Sequence, residues 1–302
     1  MRALVDAIRP TTIVRPEKLR DHLKLDLTIA SEAFQHTGSF KFRAAYNVAI
    51  NMANDHLYTA SSGNFGQALA YAAKLTGKRC TVVMPDRSAK VKIEAVRNYG
   101  ATVDLIDTSK VGRSERISQL AQEMPDAYFA SPYDDEFVIA GNSSLADELA
   151  VHDFDLIIVP VGGGGLISGI VTGMDRNDKS SAIIGAEPLL GNDGARSLRE
   201  GKLLANETEP ATIADGARTL SLGKLNWPII RENVKDIIEV SEDKIATAVK
   251  ILYDLANLKC EPTSGLSLGA ILEDLAKFAD KKICVVVTGG NVDAEVYKRL
   301  IS

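Results

Sequence analysis

"VPVGGGGLISG", Val159 to Gly169, sets four consecutive glycines between an apolar run and a helical segment. Each glycine costs about 0.5–1 kcal/mol of backbone entropy relative to alanine in regular structure, so four in succession point to a need for close backbone approach. A strand, a glycine-rich loop and a helix in that order present backbone N–H groups to an anion, and a phosphate or nucleotide is the ligand such a loop suits. The run before it, "DLIIVP" (155–160), is continuously apolar, as a parallel strand buried on both faces should be. The dinucleotide fingerprint G-x-G-x-x-G fails in every register, because Gly162 leads to Ile167 and Gly163 to Ser168 at the last position. No Gly-Lys-Ser/Thr follows, so the P-loop pattern fails too. Glu187, ending the next strand-like run, keeps open a ribose-binding acid and with it a nicotinamide-dependent dehydrogenase.

Working outward, short Val/Ile-rich runs alternate with amphipathic segments. Strands are expected at 56–60, 80–84, 101–106, 155–160, 182–187, 236–240 and 282–287. Helices are expected over "NFGQALAYAAKLTG", "EFVIAGNSSLADELAV", "EDKIATAVKILYDLANL" and "TSGLSLGAILEDLAKFA". This alternation predicts an α/β protein with a mainly parallel twisted sheet covered by helices. Residues 199–232 are polar and broken by Gly and Pro, the longest irregular stretch. The 302 residues are 45% hydrophobic and 25% charged, enough to bury a sizeable core in one or two domains. A net charge of −5 with interspersed signs gives no basic footprint for nucleic acid or an anionic membrane. No apolar run reaches the roughly 20 residues of a membrane span, and the start of the chain lacks a signal-peptide core. Cys80 and Cys284 lie in strand-like runs and Cys260 in a helix-to-loop segment, which argues for the cytoplasm and against a disulfide framework.

Two further glycine-containing turns follow strands, "TASSGNFGQALA" (59–70) and "VVTGGN" (286–291). A lone lysine stands out upstream, in "HTGSFKFRAA" (36–45). Gly38 and Ser39 read as a turn and an N-cap, which puts Lys41 in the first turn of a helix. The macrodipole disfavours a cation there, so Lys41 is either solvated and incidental or wanted as a weakly protonated amine.

Together, "TGSFKFRAA", "SSGNFGQALAYAAKLTG", "VPVGGGGLISGI" and "VVTGGNVD" resemble the motif set of the fold-type II pyridoxal phosphate enzymes. "SPYDDEFVIAG" (131–141), "GAEPLLGNDGARSLREGKL" (185–203), "TIADGARTLSLGKLNWPIIR" (212–231) and "CEPTSGLSLGAIL" (260–272) resemble its serine racemase and serine/threonine dehydratase branch, which includes the hydroxyaspartate ammonia-lyases. The resemblance runs from about Ile13 to the C-terminus. It implies two interleaved domains with the cofactor in the cleft between them: a large one of residues 1–54 and 135–302, and a small one of residues 55–134. It implies that Lys41 binds pyridoxal 5′-phosphate as a Schiff base and then acts as general base. Gly162, Gly163, Gly164 and Gly165 would hold the phosphate, Asn64 the ring oxygen, and Thr288 the pyridine nitrogen. Ser61, Ser62, Asn64 and Phe65 would receive the substrate carboxylate.

The implied activity is β-elimination from a β-hydroxy amino acid such as L-serine, L-threonine or 3-hydroxyaspartate, giving a keto acid and ammonia, in a homodimer. Ser62 matches the position whose hydroxyl acts on the opposite face in racemases, so serine racemization is the alternative; Ser62 as a loop hydroxyl satisfying backbone groups also stays open. Glu187, the Gly191 carbonyl and Asp193 match ligands of a divalent cation such as Mg²⁺, unless Asp193 only caps a helix and Glu187 pairs with an arginine. The chain departs from the family at Phe65 (usually histidine), at Ala44 (usually glycine), at "AGNSS" (140–144), where relatives carry a glutamine-glycine-threonine run, and at Thr12–Ile13, where the family's threonine-proline is weakened. These changes put substrate identity in doubt and leave room for a cofactor-binding protein without turnover.

Overall fold

The apolar runs fold as strands of two sheets. The computed structural model describes residues 2–88 and 90–302. The strands are β1 (Thr12–Val14), β2 (Asp26–Ser31), β3 (His56–Ala60), β4 (Arg79–Pro85), β5 (Thr102–Ile106), β6 (Tyr128–Phe129), β7 (Leu156–Pro160), β8 (Ala182–Pro188), β9 (Asp236–Val240) and β10 (Lys282–Val287). The larger sheet has the order β1-β2-β10-β7-β8-β9 and the smaller the order β5-β4-β3-β6. All neighbours pair in parallel except β1 with β2.

The near-continuous hydrophobicity of the large-sheet strands has a direct reading in the packing. Along β10, Ile283, Val285 and Val287 enter one core, with Leu27, Ile29 and Ile158. Cys284 and Val286 enter the core on the opposite face, with Ile157, Val159 and Ile167. Successive side chains point to opposite faces of a strand, so a sheet covered twice needs apolar residues at every position. A third core lies over the small sheet and includes Phe42, Ala44, Phe65 and Val82.

The expected strands and helices are present, with three differences. Three strands, β1, β2 and β6, were not anticipated, although β2 is almost wholly buried within the large sheet. The stretch 199–232 is not irregular throughout, since Asn226–Asn233 forms a helix around buried Trp227 and Ile230. Ser39 is not an N-cap: the helix Lys41–Asn51 has Phe40 at its N-cap without a side-chain bond, and Ser39 Oγ is buried with no partner among the described residues.

That helix is fixed by a buried ion pair two residues beyond Lys41. Arg43 and Glu32 side chains are both 0% exposed, with Nε to Oε2 at 2.7 Å and Nη2 to Oε1 at 2.9 Å. Arg43 also donates to Thr11 Oγ1 at 2.8 Å and Ser144 Oγ at 3.1 Å, and Nη1 pairs with Glu148 Oε1 at 2.7 Å. One guanidinium thus joins the N-terminal segment, the loop after β2 and the helix Glu136–Leu149. Arg43→Met should cost about 3–5 kcal/mol in urea unfolding, because it strands Glu32 as an uncompensated buried charge. Arg43→Met combined with Glu32→Gln should recover much of that loss. A single-variant loss below about 1 kcal/mol, the level of an exposed pair, would contradict the structural role assigned here.

Candidate active site

Because β2, β10 and β7 are adjacent and parallel, their carboxyl ends open on one edge of the sheet. Open α/β sheets bind ligands there. The segment after β2 carries Lys41, the turn after β10 carries Thr288, and the loop after β7 is the glycine run. The small sheet adds Ser61 to Phe65, which follow β3 into the helix Asn64–Thr76. All of these line one cleft of about 620 Å³, together with Tyr133 and Glu261.

Lys41 is the first residue of its helix. Its Nζ donates to Pro132 O at 2.6 Å and lies 4.9 Å from the centre of the Phe40 ring. Burial lowers its pKa to about 8, although the Glu261 charge pulls the other way. The amine is therefore a far better nucleophile and base near neutrality than an exposed lysine.

The glycine loop is a space that side chains would fill. A Cβ on Gly163 would lie 2.2 Å from ring carbons of Tyr133, and Gly164 has φ +90°, a left-handed conformation. The Gly163 carbonyl is turned away from the cleft by the Gly223 amide at 2.9 Å and Asn226 Nδ2 at 2.8 Å. Asn142 donates to Gly165 O at 3.0 Å. The unusual "AGNSS" segment is thus structural, since its asparagine anchors the loop and Ser144 binds Arg43. Free amides at the start of the helix Gly165–Arg176 then suit a phosphate.

Across the cleft, Asn64 Nδ2 donates to both Glu261 oxygens, at 3.1 and 2.8 Å, and Asn64 Oδ1 accepts from Asn291 at 2.8 Å. Thr288 Oγ1 lies 3.1 Å from Glu261 Oε1 and 2.9 Å from Ser264 Oγ. Ser61 Oγ accepts from the Gly63 amide at 3.3 Å, while Ser62 is half-buried on the cleft wall. Phe65 is 1% exposed and its ring belongs to the small-sheet core. Ala44, another departure, is fully buried in that core. Sequence reasoning missed Glu261 as a site residue. It occupies the N-cap position ahead of Pro262, where an acid reads as an ordinary helix-start residue, and no local pattern shows that its side chain turns into the cleft.

Glu187 and Asp193 lie apart from these groups, and each is 2% exposed. Among the described residues Glu187 pairs with no arginine. Its carboxylate accepts from the Gly194 amide at 3.1 Å and the Ala195 amide at 2.5 Å, so Glu187 rather than Asp193 caps the helix Asp193–Glu200. Burial pushes Glu187 up to about 8 and Asp193 up to about 7. Asp193 Oδ1 accepts from Asn206 at 2.8 Å, whereas Oδ2 is buried without a partner among the described residues. Among the described residues no three His, Cys, Asp or Glu side chains converge as a metal cage. The pair instead offers two hard oxygen donors, with Gly191 next to them in the chain, a set that suits a hard divalent cation completed by carbonyl and water.

The chemistry of the cleft is that of an anion cradle, a buried amine of lowered pKa and two polar groups on the far wall. Comparisons with known proteins agree. The profile of the family "Pyridoxal-phosphate dependent enzyme" matches residues 4–289. The chain is 36% identical to an L-threo-3-hydroxyaspartate ammonia-lyase from Saccharomyces cerevisiae, over 98% of this chain and 92% of the other. It is 36% identical to the serine racemase of Homo sapiens, over 95% of this chain and 88% of the other. The crystal structure of serine racemase from Dictyostelium discoideum superposes with a TM-score of 0.89 at 35% identity, covering 97% of this chain and 96% of that one. On fold, cleft and family profile together, this chain belongs to the pyridoxal-phosphate-dependent enzymes of fold-type II.

Proposed function

We propose that the protein catalyses β-elimination from a β-hydroxy amino acid, releasing a keto acid and ammonia. The observation that carries this reading is the half-buried Lys41, its amine held below the usual lysine pKa, sharing one cleft with a glycine cradle that side chains would fill. Gly162 to Gly165 would hold the phosphate of pyridoxal phosphate, Asn64 its ring oxygen and Thr288 its ring nitrogen, with Lys41 as the covalent anchor. The bound cofactor supplies an electron sink for charge developing at the substrate Cα. The backbone amides from Ser61 to Phe65 would take the substrate carboxylate at a helix start. Lys41, once displaced, would remove the α-proton, and its lowered pKa keeps a useful neutral fraction for that step. The β-hydroxyl would leave as water, balanced by the α-proton that Lys41 took up, and hydrolysis of the unsaturated amino acid left behind would give keto acid and ammonia. The division into a unit of residues 1–54 and 135–302 and a unit of residues 55–134 is supported by the sheets, since β3 to β6 all fall within the second span.

The rim favours an acidic substrate. Arg87, Arg113 and Arg218 line it against Glu209, and Lys92 lies 3.3 Å from Asp215. A surplus of guanidinium suits a second carboxylate, and several relatives are named for 3-hydroxyaspartate. Racemization is the second reading, favoured by the Ser62 hydroxyl in the same cleft. Glu187, Asp193 and the Gly191 carbonyl would hold Mg²⁺ or a similar cation, which would relieve two carboxylates that burial otherwise penalises.

A panel of β-hydroxy amino acids assayed for keto acid and ammonia should give the highest kcat/KM with 3-hydroxyaspartate, ahead of serine and threonine. Absence of turnover across the panel would overturn the elimination reading. Ser62→Ala should abolish serine racemization, a loss of about 10²–10⁴-fold in that step, while elimination persists. Equal loss of both reactions would show that Ser62 serves binding instead. Divalent cation at about 100 times its Kd should stabilise the fold by about 2.7 kcal/mol, and a chelator should reverse the rise in melting temperature. Insensitivity to both would leave Glu187 as a helix cap alone.

A further inference from the structure

Glu261 is 3% exposed and stands at the start of the helix Pro262–Glu273 without capping it. Its oxygens are engaged instead by Asn64 Nδ2 and Thr288 Oγ1. Four other titratable groups bear on it: Lys41 from the helix Lys41–Asn51, Lys92 from the helix Lys90–Asn98, Asp215 from the turn Asp215–Ala217, and Cys260 beside it in the chain. Burial raises its pKa to about 7 and Asp215 pushes the same way, while the bonds from Asn64 and Thr288 and the charge of Lys92 pull it down. Its charge therefore changes within the working range of an enzyme.

That change has one clear recipient. Thr288 has a single hydroxyl proton and sits between Glu261 at 3.1 Å and Ser264 at 2.9 Å. The Ser264 hydroxyl also reaches Gly289 O at 3.0 Å and accepts from the Gly289 amide at 3.1 Å, which holds it in place. With Glu261 ionised, Thr288 donates to the carboxylate, Ser264 can donate to Thr288 or to Gly289 O, and a Thr288 lone pair is left for the cleft. With Glu261 protonated, the carboxyl can donate to Thr288, and the threonine O–H is released from it to point outward or to Ser264. The switch needs a proton on one buried group and no movement of the backbone.

We propose that Glu261 is a positioning residue that sets, through Thr288, whether the cleft offers the cofactor's ring nitrogen a hydrogen-bond acceptor or a donor. This rests on the reading that Thr288 faces that nitrogen. An acceptor favours the nitrogen carrying a proton, the form that draws charge more strongly from the substrate; a donor favours the bare nitrogen. As pH rises through about 7, the proton leaving Glu261 is replaced by a stronger pull for one at the ring. The same carboxylate holds Asn64, so the two ends of the cofactor's ring share one support.

The test uses the holoenzyme with pyridoxal phosphate. Wild type should show a step in visible absorbance, and in cofactor Kd, with a midpoint near pH 7. Glu261→Gln keeps an acceptor for Asn64, offers an amide N–H to Thr288 and cannot titrate, so it should bind cofactor and lose the step between pH 6 and 8. Its kcat should fall about tenfold, the size of one pKa unit at the ring nitrogen, with KM little changed. Glu261→Asp, which retains a charge, should retain the step. Thr288→Val should lose it, because the relay is gone. A step that persists in Glu261→Gln, or in Thr288→Val, would overturn this inference while leaving the elimination reading intact. Failure of the wild type to bind pyridoxal phosphate would overturn both.

Discussion

The parallel register of β2, β10 and β7 is the constraint from which the site follows. Parallel neighbours send their carboxyl ends to the same edge, so the segments that leave them meet there whatever their distance in sequence. Lys41, Thr288 and the glycine loop are separated by more than a hundred residues along the chain, yet two strand pairings bring them to one cleft. Disturbing that register would separate the amine from the anion cradle without altering either. The buried guanidinium of Arg43 serves the same end more locally, tying the Lys41 helix to the segment after β2.

Two buried acidic residues show how environment divides structure from function. Glu32 is fully buried but meets Arg43 at two of its oxygens, which makes it a fixed joint. Glu261 is equally buried and meets an amide and a hydroxyl, so its charge is compensated only in part and burial raises its pKa. A paired buried charge gives rigidity; an underpaired one retains the ability to change. Lys41 is the complementary case, an amine that burial drives toward neutrality.

Much of this was legible in the sequence. The α/β alternation, the glycine loop and the placement of Lys41 in a first helical turn came from local pattern and are present in the fold. β2 escaped because "DLTIAS" mixes polar and apolar residues, and its burial depends on pairing with β10, which lies far off in the chain. Ser39 was misread as a cap because a serine before a helix normally serves one, whereas tertiary packing brings Ser39 against Gly289. The cap at Asp193–Glu200 comes from Glu187, six residues before the helix, which no capping pattern would find. Phe65 looked like a change at the substrate loop, and its ring, part of the small-sheet core, also lines the cleft 5.7 Å from Lys41 Nζ. Glu261 lay within a motif that marked the family, but its orientation is a tertiary property.

Whether Lys41 is the residue that binds the cofactor is decided by trapping it. Borohydride reduction of the holoprotein, followed by proteolysis and mass analysis, should place a single phosphopyridoxyl group on the peptide containing Lys41, with loss of the visible absorbance. The same group on another lysine, or no covalent adduct in a protein that retains the cofactor, would contradict the account.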